Sequence, residues 1–147
     1  DGPWQMGHKT ATEYGRLVTE VGNAFRQFDP SMELVACGSS GRGMPTFGAW
    51  EREVLDLAFD VVDDISAHAY YEPEGDDRSF LACSQDMDRF IDEVIATADH
   101  VAALHRSDKR INISFDEWNV WYHEGAEEKP ATPIPAPRLI EDTYDTL

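Results

Sequence analysis

Three short runs of β-branched and other apolar residues alternate with longer segments in which apolar residues recur every three to four positions. The short runs, at residues 33–37, 65–68 and 111–116, have the composition and length of buried strands. The longer segments predict amphipathic helices. Strands separated by such helices favour right-handed crossovers and a parallel sheet. We therefore predict an α/β fold.

The helices are marked by their apolar positions and by their end signals. A capping box, Thr10-Ala11-Thr12-Glu13, predicts the start of the first helix, and Asp29-Pro30 predicts its end. Residues 72–79 are predicted to form a loop, residues 130–137 an extended proline-rich segment, and residues 137–147 another helix. The predicted apolar stripes are Tyr14, Leu17, Val18, Val21, Ala24, Phe25 and Phe28; Phe47, Trp50, Val54, Leu57, Ala58 and Val61; and Met87, Phe90, Ile91, Val94, Ile95, Ala98, Val101 and Ala102.

Two architectures suit this order of elements: an open doubly wound sheet and part of a (β/α)8 barrel. No Gly-x-Gly-x-x-Gly motif follows a strand, which weakens the nucleotide-binding alternative. Polar and aromatic residues gather just after each strand, at Cys37-Gly38-Ser39-Ser40, His68-Ala69-Tyr70-Tyr71 and Glu117-Trp118. In a barrel these points share the C-terminal face, where active sites lie, and a complete barrel needs about 250 residues. We predict a partial (β/α)8 barrel with about three parallel strands and flanking helices.

Composition narrows the functional classes. The net charge is −17, from 29 acidic and 12 basic residues. Nucleic acids and anionic membranes both require clustered Lys and Arg, so neither is an expected partner, whereas a neutral substrate is compatible. No apolar run approaches the roughly 20 residues that span a bilayer, and we expect a cytosolic protein. Two cysteines, Cys37 and Cys83, are expected to be free thiols.

Glu117 is the strongest candidate for a catalytic group. It follows the third predicted strand, where a rigid backbone presents a carboxylate at the barrel rim. A retaining glycosidase uses one carboxylate as nucleophile and a second, about 5–5.5 Å away, to handle the proton. A solvated glutamate that caps the next segment is the alternative. The adjacent Asp116 should point to the opposite side of the strand and play a structural role.

Side chains from the neighbouring strand could reach this carboxylate. His68 and Tyr70 alternate along an extended segment and so should face the same way. A tyrosine hydroxyl that donates to Glu117 would keep the carboxylate ionised and oriented. One of the indoles of Trp118 and Trp121 is expected to stack on a sugar and the other to pack in the core. The histidines show no paired ligand spacing, so no metal site is expected.

Five stretches, in order along almost the whole chain, resemble the α-L-arabinofuranosidases of glycoside hydrolase family 51. They are Asp1-Gly2-Pro3-Trp4-Gln5-Met6-Gly7-His8-Lys9, Leu34-Val35-Ala36-Cys37-Gly38-Ser39-Ser40, Met44-Pro45-Thr46-Phe47-Gly48, His68-Ala69-Tyr70-Tyr71 and Phe115-Asp116-Glu117-Trp118-Asn119-Val120-Trp121-Tyr122-His123.

The resemblance implies retaining hydrolysis of terminal α-L-arabinofuranosyl groups from arabinan or arabinoxylan fragments. It implies that Glu117 is the nucleophile, that His68 and Tyr70 lie beside it, and that Trp121 lines the sugar pocket, with Trp4 at its border. It also implies a cytosolic homo-oligomer that needs no cofactor.

In the family the general acid/base is a glutamate in an Asn-Glu-Met motif directly before Asp-Gly-Pro-Trp, and this chain begins at Asp1. We therefore expect residues 1–147 to be a fragment of the catalytic barrel. The upstream strands, the last strand and the C-terminal β-domain are expected to lie outside it.

Two other interpretations remain open at this stage. The first is a stand-alone, non-catalytic half-barrel that self-assembles, because a three-stranded sheet leaves open edges and uncovered apolar faces. The second is another retaining (β/α)8 glycosidase, such as a xylanase or β-galactosidase.

Overall fold

The computed structural model describes residue 2, residues 7–72 and residues 76–120. The elements are α1 (Ala11–Phe28), β1 (Val35–Ala36), α2 (Ala49–Ala58), β2 (Asp64–Tyr71), α3 (Asp77–Leu81), α4 (Ser84–Leu104) and β3 (Asn112–Val120). The predicted segments at 130–137 and 137–147 lie outside the described residues, as do Trp4 and Trp121.

The three strands form one parallel sheet in the order β1-β2-β3. Neighbouring strands in the sheet are also consecutive in the chain, and a helix connects each pair, as in a (β/α)8 barrel. The predicted partial barrel is therefore confirmed. The central strand β2 is buried along most of its length, whereas β1 and β3 form the edges of the described sheet.

The core lies between β2 and the two helices α2 and α4. Phe90, Val94 and Val101 of α4 are buried against Val54 and Leu55 of α2, with Ile65 and Ala67 of β2 beneath them. The predicted stripes of α2 and α4 include most of these residues, although Leu55 was not among them. Fully burying one such side chain stabilises the fold by about 1.5–3 kcal/mol.

Helix α1 begins at the predicted capping box. The Thr10 hydroxyl accepts from the Glu13 backbone N–H at 3.2 Å, and the Glu13 carboxylate accepts from the Thr10 backbone N–H at 2.8 Å. Among the described residues, only part of the apolar stripe of α1 packs against the core. Tyr14 and Val18 contact the core, whereas Leu17, Val21 and Phe25 are 40–48% exposed.

Several element boundaries differ from the predictions. β1 has only two residues, although Gly38 beyond it still lies against β2: its backbone N–H donates to Ser66 Oγ at 3.2 Å, and a Cβ there would collide with the carbonyl oxygen of Ser66. β2 runs from Asp64 to Tyr71, beyond the predicted 65–68. A short helix, α3, begins within the predicted loop because Asp76 caps its first turn. β3 extends to Val120 instead of ending at Asp116, and it is half-buried or exposed rather than buried because it is an edge strand.

Candidate active site

A bulge at the C-terminal end of the sheet places two consecutive carboxylates on the same side. Ala67 of β2 pairs with Phe115 of β3, but the next residue, His68, pairs with Glu117, so Asp116 is an extra residue in β3. A bulge interrupts the alternation of side chains along a strand. The prediction that Asp116 points away from the site is therefore wrong, since its carboxylate contacts the same imidazole as that of Glu117.

The imidazole of His68 lies between these two carboxylates. Its Nε2 is 2.9 Å from Asp116 Oδ1, and its Nδ1 is 3.5 Å from Glu117 Oε2. His68 is the more protected group, because its side chain is 25% exposed whereas those of Asp116 and Glu117 are 46% and 52% exposed. His68, on the central strand β2, thus contacts both carboxylates and lies between them.

Tyr70 provides a hydrogen-bond donor to the candidate nucleophile. Its hydroxyl donates to Glu117 Oε2 at 3.1 Å, as its alternation with His68 along β2 predicted. Burial raises the pKa of Tyr70, and so does the hydrogen bond to the Glu117 carboxylate. The phenol therefore keeps its proton throughout the neutral range and remains a donor. His68 and Tyr70 both reach the same oxygen, Oε2.

Trp118 follows Glu117 on β3, pairs with Ala69, and lies on the side of the strand where Phe115 contacts Phe90 of α4. It is 61% exposed and packs edge-to-face on Phe115, with ring centroids 6.2 Å apart. Of the two indoles predicted to divide between sugar and core, Trp118 thus lies on the helix-facing side of the strand, and Trp121 lies outside the described residues.

A cavity of about 300 Å³ opens beside His68, and residues after β1 form its opposite wall. Cys37, Gly38 and Ser40 lie on this wall, as the clustering of polar residues after each strand predicted. The backbone of Cys37 is fixed by two helices: its N–H donates to the Tyr14 hydroxyl at 2.9 Å, and its carbonyl accepts from Trp50 Nε1 at 3.0 Å.

A buried carboxylate, which the sequence patterns did not single out, holds the segment between β1 and α2. Glu51 is 1% exposed and accepts from the backbone N–H groups of Ser39, at 2.7 Å, and Gly48, at 2.6 Å. Because these donors lie at the two ends of the segment, Glu51 closes it into a defined loop. The only sequence signal is a glutamate in the first turn of α2, which is typical of an ordinary helix start.

Cys37 and Cys83 are both free thiols. Among the helices that the structure describes, none is long and apolar enough to cross a bilayer.

The chain is similar over its whole length to known arabinofuranosidases. It is 58% identical to an intracellular exo-α-(1→5)-L-arabinofuranosidase from Streptomyces lividans, over 100% of this chain and 23% of that protein. It is 54% identical to a protein with the same name from Acetivibrio thermocellus, over 98% of this chain and 30% of that protein. No family model matches the chain.

A solved structure has the same fold. A family 51 α-L-arabinofuranosidase from Bifidobacterium longum superposes with a TM-score of 0.80 and 46% sequence identity, over 83% of this chain and 26% of that one. This chain thus spans about a quarter of the length of the proteins it matches.

Proposed function

We propose that this chain is part of an α-L-arabinofuranosidase of glycoside hydrolase family 51, because it is similar to such enzymes along its length, and that it supplies the nucleophile side of the active site. The substrates are terminal, non-reducing α-L-arabinofuranosyl groups on arabinan or arabinoxylan oligosaccharides. The observation that carries the proposal is the convergence of His68, Tyr70 and Glu117 at the C-terminal end of the parallel sheet.

Glu117 acts as the nucleophile in this proposal. One carboxylate oxygen attacks the anomeric carbon as the glycosidic bond breaks, and the departing oxygen takes a proton from the general acid. Water, deprotonated by the same residue acting as base, then hydrolyses the glycosyl-enzyme, so the anomeric configuration is retained. The proposed acid/base is a glutamate of an Asn-Glu-Met motif in the remainder of the barrel, outside residues 1–147.

The contacts of Glu117 favour Oε1 as the attacking atom. Tyr70 and His68 both engage Oε2, so the second oxygen is the one directed to the substrate. A hydrogen bond from the phenol holds the carboxylate in one rotamer and favours its ionised form. His68 and Tyr70, with Trp121, are the proposed sugar-binding residues, and Asp116 orients His68 from the other ring nitrogen.

The resemblance also bears on the cellular location and the assembly state of the protein. Because the relatives are named as intracellular enzymes, we propose a cytoplasmic location for this protein. The resemblance to the family implies in addition a homo-oligomer that needs no cofactor. A neutral oligosaccharide suits a chain of net charge −17, because it is not repelled by the acidic surface.

Covalent trapping tests the nucleophile directly. The sequence is inserted in place of the matching segment of the Streptomyces lividans relative, which supplies the rest of the barrel. This hybrid is treated with a 2-deoxy-2-fluoro-arabinofuranosyl donor that has a good leaving group, and its peptides are examined by mass spectrometry. We expect one sugar on Glu117 and none in E117Q. A label on another residue, or a folded hybrid that neither hydrolyses nor takes up label, would overturn the proposal.

The exposed apolar stripe of α1 favours one second candidate, a half-barrel that assembles with itself. Leu17, Val21 and Phe25 line a groove with Leu34 and Val35, next to the edge strand β1. Such a groove beside an open strand edge favours association. Light scattering on the isolated chain distinguishes the candidates: a stable dimer supports self-assembly, and a monodisperse monomer contradicts it.

A further inference from the structure

A cluster of charged side chains lies near the active site but outside it. The guanidinium of Arg42, in the loop between β1 and α2, forms two hydrogen bonds with Glu93 of α4: Nε donates to Oε2 at 2.8 Å and Nη2 donates to Oε1 at 2.7 Å. Its Nη1 donates to Asp86 Oδ1, near the start of α4, at 2.7 Å. Arg42 therefore joins the loop to two turns of the helix in a fixed orientation.

The cluster also reaches the end of the central strand. Tyr71, the last residue of β2, donates its hydroxyl to the second oxygen of Asp86 at 3.3 Å. Its neighbour Tyr70 is the residue that donates to Glu117. A chain of contacts thus runs from Arg42 through Asp86 and Tyr71 to the backbone that carries the donor of the candidate nucleophile.

The loop itself reaches the other side of the active site. Ser40 lies two residues before Arg42 and lines the cavity beside His68. Glu51 holds the ends of this loop through the backbone at Ser39 and Gly48, but Arg42, between those points, is attached to α4 instead. Arg42 is therefore the polar attachment of this loop to α4, beside the apolar contact of Phe47 with Phe90.

We propose that Arg42 is a positioning residue: it clamps the β1–α2 loop and the end of β2 to α4, and so fixes the distance between Tyr70 and Glu117. This inference rests on the function proposed above and adds a residue that does not touch the substrate. The side chains of Arg42, Asp86 and Glu93 are 33–42% exposed, and the bidentate pair with Glu93 fixes the orientation of the guanidinium. A misplacement of about 1 Å at a reacting group costs up to about 100-fold in rate, so losing this orientation should lower kcat.

The test compares two arginine variants in the hybrid enzyme. R42Q removes the charge and the bidentate contact, and R42K keeps the charge but not the planar fork. The matched control is R26Q, because Arg26 also forms an ion pair, with Asp63 at 2.5 Å, but at the opposite end of β2. The readouts are kcat and KM on 4-nitrophenyl α-L-arabinofuranoside, the melting temperature, and hydrogen exchange of the peptide covering residues 64–72.

We expect R42Q to lower kcat about tenfold with KM changed less than about twofold. R42K should recover only part of this loss, and R26Q should leave kcat unchanged while lowering the melting temperature. Exchange at the end of β2 should accelerate in R42Q and not in R26Q. A kcat for R42Q equal to that of the parent hybrid, or a loss that R26Q shares, would overturn the proposal.

The design separates this inference from the proposed function. If Glu117 is not the nucleophile, the parent hybrid carries the fluorosugar elsewhere or not at all, whatever happens at Arg42. If only the clamp is wrong, the label stays on Glu117 and exchange of residues 64–72 is the same in R42Q and in the parent.

Discussion

At the N-terminal end of β2 the carboxylate and both backbone polar groups of Asp63 join neighbouring elements, whereas the carboxylates of Asp116 and Glu117 at the C-terminal end are more exposed to solvent. Asp63 Oδ2 accepts from Arg26 of α1 at 2.5 Å and from the Leu34 backbone at 2.9 Å. Its own backbone pairs with Leu34 before β1 and with Asn112 at the start of β3. One residue thus fixes the starts of all three strands and the last turn of α1.

At the other end, Asp116 and Glu117 are about half exposed and share His68 between them. Glu117 has one hydrogen-bond donor in the described structure, Tyr70 at 3.1 Å. Both ends carry carboxylates in contact with basic side chains, so residue type alone does not distinguish them. They differ in exposure and in the kind of partner: the Asp63 carboxylate is 28% exposed and binds a guanidinium and a backbone N–H, which join elements of the fold. The Glu117 carboxylate is 52% exposed and accepts from a single phenol, on Oε2.

The largest expected effect comes from E117Q in the hybrid enzyme. The amide retains the size of the side chain but cannot attack the anomeric carbon, so hydrolysis should fall by at least about 10³-fold. The melting temperature should change little, because a half-exposed carboxylate contributes little to stability. The measurement is nitrophenol release from 4-nitrophenyl α-L-arabinofuranoside, whose good leaving group needs little protonation. Release at the parental rate would show that Glu117 is not the nucleophile, and the C-terminal end of the sheet would then have no catalytic role to contrast with the N-terminal end.

D63N should produce the opposite pattern. The amide can replace only part of the paired contacts with Arg26 and Leu34, so we expect a loss of about 1–3 kcal/mol in the free energy of unfolding. The rate constant kcat should stay within about twofold of the parent, because the substitution lies at the opposite end of the strand. Urea unfolding and steady-state kinetics on the same samples check both. A large loss of kcat without a loss of stability would contradict a purely structural role for the N-terminal end of β2.

Much of this fold follows from periodicity, but the geometry of the site does not. The stripes of α2 and α4 predict a buried helix pair because Val54, Phe90 and Val94 recur at helical spacing and enter the core. The order of strands follows because the helical connections make them parallel. The proximity of His68 and Glu117 is also predictable, because both lie towards the C-terminal ends of neighbouring parallel strands.

The only sign of the bulge at Asp116 in the sequence is the pair of consecutive acids, Asp116-Glu117, which interrupts the alternation of apolar and polar residues. Only the pairing with β2 shows that one residue is extra. The Arg42 contacts are hidden for a different reason, since they join residues 44 and 51 positions apart. Local patterns predict elements well, whereas long-range polar contacts depend on how those elements pack.

Y70F tests how strongly Glu117 depends on the Tyr70 hydroxyl, the hydrogen-bond donor that it has in the described structure. Without the phenol hydroxyl, Glu117 loses its hydrogen bond and its fixed rotamer, so kcat should fall about tenfold. The comparison variant is Y71F, which removes a hydroxyl from the adjacent residue and can affect Glu117 only indirectly, through the contact with Asp86, so it should lose less activity than Y70F. If the two variants lose the same activity, the bond to Glu117 has no special part in catalysis.

The smallest expected effect concerns the alkaline stability of the same strand end. Burial and then the nearby Asp86 carboxylate raise the pKa of Tyr71 to about 12. In the unfolded chain a tyrosine loses its proton near pH 10. Between these values the folded state keeps a proton that the unfolded state has released, so stability falls as the pH rises from about 10 to about 12 and then levels off. Y71F lacks this group and should lose less melting temperature between pH 9 and pH 11 than the parent hybrid does. Equal losses in the two proteins would show that the Tyr71–Asp86 contact is not maintained in solution, which would also weaken the link from Arg42 to Tyr70.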